Sequence, residues 1–297
     1  MKRKLNAAFK SGLSVILFAA LTLSVSAQKQ KKTEKATEKA PQGIVLKYNF
    51  PVGKPLTYSS RTNIDQEMEM NGSQIPVTVS INLVCTITGQ GNVGDNLKLD
   101  IRLDTLSQNI ESPNGSGGGP VTDVEGKSFT MILSPLGKEL DLKDAEKITY
   151  TVEGQESNVS QTFTDYFPDL QNRELKPGDT WSSNDTLNSK ATTMSVKQIA
   201  KSDNKFEGIV NVDGLECARI TSTVSGTREQ TGESMGMDIS IKGTFTGTNE
   251  FLFAVKEGYL VKETANSKMI GNIELSGGQN MSMPLTATTV STRILKK

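Results

Sequence analysis

The chain has 297 residues, of which 33 are basic and 33 acidic, and it contains no histidine. The lack of histidine excludes the usual Ser-His and Cys-His nucleophile pairs and the commonest zinc ligand, so we predict a protein that is no enzyme and has no catalytic residue, cofactor or metal site. The first 27 residues carry four positive charges, and residues 28 to 43 carry a net charge of +3. The rest of the chain therefore has a net charge near −7. This sign argues against a nucleic-acid partner, because such binding relies on basic surfaces.

The N-terminal region has the composition of an export signal followed by a spacer. Residues 1 to 27 combine a basic start, an apolar stretch of about 11 residues and small residues before Gln28, the pattern of a secretory signal peptide. The apolar stretch is too short to span a bilayer, and Gln28 stands where a lipoprotein would have a cysteine. We therefore predict an exported protein, periplasmic or extracellular, that is not an integral membrane protein. Residues 28 to 43 are rich in lysine and indicate a flexible basic tether.

From residue 44 onward, apolar and polar side chains alternate over many short runs. In LKLDIRL, residues 97 to 103, every second side chain is apolar, which is typical of a strand with one buried and one exposed face. Asn71-Gly72 and Asp213-Gly214 separate such runs and suit tight hairpin turns. The sequence therefore predicts a mainly β protein in which consecutive strands pair antiparallel.

Two stretches interrupt this alternation. SPNGSGGGP, residues 112 to 120, is rich in glycine and predicts a mobile surface loop. Between Ser157 and Phe167, apolar residues at Val159, Phe163 and Phe167 have helical spacing, with Asn158 and Gln161 placed for an N-terminal cap and Pro168 as the stop. We predict one main helix here, packed on the concave face of a sheet, and a shorter helical turn over residues 144 to 148.

The single tryptophan lies in a segment that is similar to an earlier one. FPVGKPLTYSS, residues 50 to 60, and LKPGDTWSS, residues 175 to 183, each pass from an apolar residue through a glycine turn to an aromatic ring and Ser-Ser. If the similarity reflects a duplication, Tyr58 and Trp181 are counterparts, and the indole fills a core where a second lobe starts. The alternative is that Trp181 lines a binding site.

After the tether, these patterns together predict three parts: two similar joined lobes, half-barrel or sandwich-like, and a helical connection between them. They are a first β lobe over residues 44–141, a helical connection over 142–174 and a second β lobe over 175–297. Cys85 and Cys217 could form a disulfide in an exported protein. Strand phase favours free thiols, because Cys85 lies on an apolar face and Cys217 lies opposite Ala218.

Other motifs have weak support in their context. GQGNVG, residues 89 to 94, lies between two strands and therefore indicates a hairpin loop rather than a dinucleotide site, and SDNK, residues 202 to 205, is a chance match to acyltransferase motifs. Methionines on the predicted strands suit either a pocket for irregular apolar ligands or an ordinary core. The candidate carboxylates for glycoside hydrolysis or calcium binding lie on solvated faces or lack a known spacing, and they are Asp100, Asp104, Asp123, Asp179, Asp185 and Asp203.

Four segments carry a resemblance to a family of uncharacterised exported β-rich proteins of Gram-negative bacteria, defined as a domain of unknown function. They are LKYNFPVGKPLTY, FTMILSPLGKELDL, FPDLQNRELKPGDTW and FLFAVKEGYLVKE. The resemblance implies no activity and no site residue. A looser likeness to the half-barrel carriers of lipoproteins and lipids implies a curved sheet around an apolar cavity.

Two non-catalytic functions follow from these expectations. One is a periplasmic binder or carrier that holds a lipid or other apolar ligand between sheet and helix, and it is weakly favoured. The other is an envelope-associated structural or partner-binding protein, with an envelope protein as its partner at a sheet edge. No ligand-binding residue is identified from the sequence.

Overall fold

The computed structural model describes residues 43–70, 72–190, 194–234, 237–277 and 280–297. The predicted signal peptide, and all of the predicted tether except Gly43, lie outside these ranges. Within them, none of the helices has the length and apolar character needed to cross a membrane.

The described part of the chain is mostly β-strand. Its elements are β1 Pro55–Met70, β2 Ser73–Val93, β3 Asn96–Ser112, β4 Gly115–Pro120, a 3-10 turn Thr122–Val124, β5 Ser128–Leu133, β6 Glu139–Asp141, α1 Lys143–Glu146, β7 Thr149–Val152, β8 Gln155–Asn158, α2 Ser160–Phe163, β9 Thr180–Lys190, β10 Met194–Val212, β11 Leu215–Ser234, β12 Met237–Ala254, β13 Tyr259–Ser276 and β14 Met281–Leu295. The predicted antiparallel β class is confirmed. Asp213 and Gly214 form the predicted hairpin turn between β10 and β11, with φ angles of 53° and 87°.

Twelve of the described strands belong to one antiparallel sheet. Its order is β6-β5-β3-β2-β1-β14-β13-β12-β11-β10-β9, with β4 added beside β3 and with β7 and β8 forming a separate hairpin. The chain closes on itself in the middle of the sheet, because β1 pairs with β14 from Tyr58 opposite Leu295 to Met68 opposite Leu285. The structure therefore does not support two lobes, since the two ends of the folded chain share one continuous hydrogen-bonded ladder.

The inner face of the sheet carries two apolar clusters near opposite ends of its strands. The larger cluster includes Leu99, Phe129 and Phe253 and continues into the segment between β6 and β9. The smaller one joins residues of β1, β2 and β3, such as Met68, to residues of β12, β13 and β14, such as Met283. These six strands are consecutive in the sheet order, so the smaller cluster is one continuous apolar stripe across the middle of the sheet.

A chain segment, residues 142–175, lies across this inner face and is called the covering segment below. Val159, Phe163 and Phe167 are buried in the larger cluster, as the helical stripe predicts. Phe163 packs edge-on against Phe129 of β5, with ring centroids 5.0 Å apart. Backbone hydrogen bonds fix the end of the segment, because Leu170 N donates to Leu136 O and Leu175 N donates to Ile44 O.

The predicted main helix is wrong in its length. The helix α2 spans only Ser160–Phe163 and lacks a side-chain cap, because the Asn158 side chain accepts a hydrogen bond from Ser160 Oγ instead. The chain leaves helical geometry at Thr164, which is extended, and at Asp165, which has a φ of 55°. The shorter predicted turn corresponds to α1, which covers residues 143–146.

The predicted glycine-rich loop is also wrong, because its second half forms β4 on β3. Gly118 lies so close to Gln108 O that an added Cβ would be 2.0 Å from this oxygen, and its φ is 82°. The N–H of Gly118 donates to Glu153 Oε1 at 2.7 Å. Glycine therefore allows close backbone pairing here rather than mobility.

Both cysteines are buried and free. Cys85 faces the core as predicted, with Sγ 3.3 Å from Tyr166 Oη, and burial raises the pKa of its thiol to about 11. Cys217, predicted to face away from the core, is also buried in the larger cluster because β11 reaches the packed end of the sheet beside β12.

Candidate ligand-binding pocket

A hollow of about 160 Å³ lies between the end of the covering segment and the inner face of strands β9 to β13. The covering segment forms one wall and the sheet forms the floor and the opposite wall. The lining residues are Asp165, Phe167, Pro168, Asp169, Gln171, Trp181, Ser183, Asp185, Leu187, Gln198, Ala200, Ser202, Asn204, Ser222, Val224, Asn249, Phe251 and Glu263.

Strand register explains why this part of the sheet is hollow. Ser202 pairs with Ser183 on one side and with Val224 on the other, so two neighbouring inward positions carry small hydroxyl side chains. In the next row, Asn204 pairs with Trp181 and with Ser222, and Ser222 Oγ donates to Asn204 Oδ1 at 2.6 Å. Apart from Trp181 and Val224, the inward side chains of these two rows are short or polar, unlike the large apolar side chains of the two core clusters.

Three aspartates line the pocket from two different elements. Asp165 and Asp169 belong to the covering segment and Asp185 belongs to β9. Burial raises the pKa of Asp169 to about 6, and the nearby charges of Asp185 and Asp165 add to this effect. The pKa of Asp165 is also raised, first by burial and then by the charge of Asp185. Asp165 and Asp169 keep exposed surface, which limits the effect of burial, but their mutual repulsion indicates a concentrated negative charge.

A fourth acid fixes the position of the carboxylate wall. Glu139 of β6 accepts a hydrogen bond from Phe167 N at 3.0 Å, which ties the covering segment to the far edge of the sheet. Burial raises the pKa of Glu139 to about 7, although this hydrogen bond opposes the shift. The charges of Asp165 and Asp169 raise it further.

The pocket floor contains a buried ion pair. Arg293 Nη1 lies 3.0 Å from Glu263 Oε2, and the two side chains are only 7% and 9% exposed. Arg293 also donates to Tyr166 O and lies over the Tyr166 ring, with the guanidinium carbon 3.6 Å from the ring centroid. Because Arg293 compensates Glu263, the uncompensated negative charge of the pocket comes from its aspartates.

Two buried amide oxygens at the pocket have no hydrogen-bond partner among the described residues. One is Gln198 Oε1, whose residue is 4% exposed, and the other is Asn249 Oδ1. The orientation of Asn249 follows from its other atom, because Asn249 Nδ2 donates to Glu263 Oε1 at 3.2 Å and a carboxylate can only accept. An unpaired buried acceptor is costly, so both oxygens favour a donor supplied from outside the chain.

Trp181 has both of the predicted environments at once. Its ring packs against the larger core cluster, but the side chain is only partly buried and lines the pocket. The binding-site alternative therefore describes its position better than a simple core plug. Tyr58, its predicted counterpart, is 1% exposed and donates a hydrogen bond to Leu260 O at 2.9 Å within the core.

The other sequence candidates do not meet at a site. Asp104 accepts hydrogen bonds from Thr86 and Arg102, and Asp179 accepts one from Lys176 N. Asp203 binds Ser182 Oγ at 2.5 Å, and neither it nor any of the described methionines lines the pocket. In the described ranges, three or more acidic or cysteine side chains nowhere come together in a group that could hold a metal ion. The predicted hairpin loop at GQGNVG is wrong for residues 89–93, which belong to β2, and only Gly94 lies in the turn before β3; SDNK lies within β10.

Sequence reasoning considered Trp181 as an alternative binding residue and Asp185 as a weak calcium candidate, and it did not consider Asp165, Asp169 or Gln198. A signal existed in β10, where the inward positions carry Gln198, Ala200, Ser202 and Asn204 rather than large apolar residues. A strand with polar side chains on its inner face indicates a cavity or a ligand. The contribution of the covering segment had no such signal, because it depends on contacts far apart in the sequence.

Comparisons with known proteins do not place the chain in a family. No family model matches it, and no curated protein matches it. Among solved structures, the beta domain of the Bordetella autotransporter BrkA has a TM-score of 0.25 and 9% identity, over 82% of this chain and 100% of that chain. Pseudomonas aeruginosa OccK2 (OpdF) gives 0.24 and 9%, over 83% and 99%. A DUF1329 family protein from Desulfovibrio piger gives 0.16 and 9%, over 79% and 83%. Similarities this low carry no argument, so the predicted family resemblance stays a prediction.

Proposed function

We propose that the protein is an exported, non-catalytic binding protein that holds a small ligand in the pocket between the covering segment and strands β9 to β13. The observation that carries the proposal is the pair of partnerless buried oxygens, Gln198 Oε1 and Asn249 Oδ1, on two residues that line one hollow. Buried acceptors without a partner lower the stability of a folded chain. In a binding protein, a bound ligand that donates hydrogen bonds to them removes this destabilisation.

The pocket lining favours a polar ligand over the apolar one expected from the sequence. Aromatic surface is present at Phe167, Trp181 and Phe251, but carboxylates, amides and hydroxyls share the lining with it. The strand methionines that suggested an apolar cavity include Met68 and Met283, which are buried in the smaller core cluster instead.

The test is to purify the mature protein under mild conditions from its native host and identify bound molecules by native mass spectrometry. We expect one small molecule per chain, absent from the variant Ser202→Phe, whose added ring fills the hollow. Ser225→Phe is the matched control, because Ser225 is an exposed residue on the outer face of the neighbouring strand β11. If the ligand-free form is the only species, and if no added small molecule changes Trp181 fluorescence, the proposal is wrong.

A second candidate, partner binding at the sheet edge, is supported by one observation. Strand β9 is the last strand in the sheet order, so one side of its backbone has no neighbouring strand among the described residues. Such an edge can accept an added strand from an envelope protein. Crosslinking from a photoreactive residue at position 184 on β9 would identify this partner. If the crosslinked species do not depend on placing the photoreactive residue at position 184, partner binding at this edge is excluded.

A further inference from the structure

We infer that the pocket recognises a small organic cation with a primary ammonium group, which rests on the proposed binding function and names its ligand class. Among the residues that line the pocket, the hydrogen-bonding atoms that lack partners are acceptors, on Gln198 and Asn249, and the carboxylates Asp165, Asp169 and Asp185 add negative charge. An ammonium group supplies three donors and one positive charge, and it therefore matches both requirements.

The arrangement distinguishes an organic cation from a metal ion. Asp165 and Asp169 lie on the covering segment and Asp185 lies on β9, and they influence one another electrostatically without forming a cluster that could hold a metal. A cation with a carbon skeleton can span this wider spacing. Its apolar part would contact the ring of Trp181, and a cation over an indole face gains further attraction.

Anionic and neutral ligands fit the site less well. An anion would approach three aspartates at close range, and the folded part of the chain is itself acidic. Three positive groups lie near, and one of them, Arg293, already pairs with Glu263. Lys138 lowers the pKa of Asp169, whereas Arg228, the register partner of Gln198, donates to Gln230. Neither of them lines the pocket.

The experiment is a titration of the purified mature protein followed by the fluorescence of Trp181, the only tryptophan of the chain. The probes are ethanolamine, choline and 1,4-diaminobutane at constant ionic strength, with 1,4-butanediol as the neutral isostere of the diamine. We expect a saturable spectral change with at least one primary amine and none with the diol. Choline lacks N–H donors and should bind more weakly than ethanolamine.

Substitutions of Asp169 and Gln198 test whether these two side chains cause the fluorescence change of Trp181. Asp169→Asn and Gln198→Met should each weaken amine binding by about tenfold or more, because each removes one strong interaction with a charged donor. Asp100→Asn is the matched control, since Asp100 lies on the outer face of β3, and it should leave the affinity unchanged. Circular dichroism at the titration temperature checks that all variants are folded.

The outcomes separate this inference from the proposed function. Equal binding of diamine and diol, no response to any of the three cations, or full affinity in Asp169→Asn overturns the cation assignment. A different molecule found by native mass spectrometry in wild type but not in Ser202→Phe also overturns it, and leaves the binding function in place. If native mass spectrometry finds no bound molecule and no added molecule changes the fluorescence of Trp181, both the cation assignment and the proposed binding function are wrong.

Discussion

Tyr58 and Trp181 occupy similar sequence segments but lie in two different regions of one sheet. Tyr58 is on β1, in the middle of the sheet and under the covering segment, where its hydroxyl is satisfied by Leu260 O. Trp181 is on β9, the terminal strand, where the covering segment leaves a pocket over the inner face and that face carries polar side chains. The difference shows that strand position in the sheet, rather than the local motif, decides whether an aromatic ring supports the core or lines a pocket.

The covered region is dry and aromatic, whereas the pocket region is charged and partly open. Tyr48, Phe50, Phe167 and Phe253 form contacts with ring centroids 5.0 to 6.2 Å apart, mostly edge to face. Tyr48 Oη donates to Pro168 O, so this cluster also positions the loop that forms the pocket wall. The aromatic cluster and the proposed binding pocket are therefore adjacent parts of one inner face.

The largest expected effect tests this comparison directly. Tyr58→Ala should lower the free energy of unfolding by roughly 3–5 kcal/mol, the usual cost of removing a fully buried aromatic side chain. Trp181→Ala should cost less than about half of that, because the indole is only partly buried. Urea denaturation of both variants measures the difference. Equal losses would show that Trp181 is a core residue and would remove the contrast between the two regions.

The boundary between the two regions is the buried pair Glu263–Arg293. Arg293→Met should destabilise the protein by about 3 kcal/mol, since it leaves Glu263 buried without its counter-charge. The double variant Glu263→Gln with Arg293→Met should recover most of this loss, because no unpaired charge remains. Thermal and urea unfolding of the single and double variants measure it. Additive losses in the double variant would contradict the assignment.

The sequence predicts the covered region much better than the pocket. Alternation identifies strands such as β3, and the spacing of Val159, Phe163 and Phe167 correctly predicts burial. It does not predict that the helix ends at Phe163 and that Asp165 is left-handed, because these features depend on the packing of the loop, in which Phe167 N donates to Glu139. Local patterns report which side of a strand is apolar, but they do not report which strand becomes its neighbour.

The same limit explains the two misread segments. Residues 115–120 form a strand only because β3 offers an edge with which their glycines can pair closely. The repeated aromatic motif suggested two lobes, but β1 pairs with β14 in the middle of the sheet, a contact between residues more than 200 positions apart. The pocket likewise combines residues of β9 to β13 with a loop that comes before them in the chain.

The smallest expected effect concerns the charge of Asp169, a pocket carboxylate that lowers the stability of the folded protein. Asp169→Asn should raise the free energy of unfolding near pH 7.5, by less than about 1 kcal/mol because the carboxylate is partly exposed. The pKa of Asp169 is about 6 in the folded protein and 3.8 is its ordinary value, so the folded state binds a proton more tightly than the unfolded chain does. This carboxylate therefore costs stability progressively as the pH rises from about 4 to 6, and the cost is constant above that range. The advantage of the variant should disappear at pH 4 and below in thermal unfolding measured across this range. An Asp169→Asn variant that is less stable than wild type at pH 7.5 would mean that Asp169 supports the fold rather than the site.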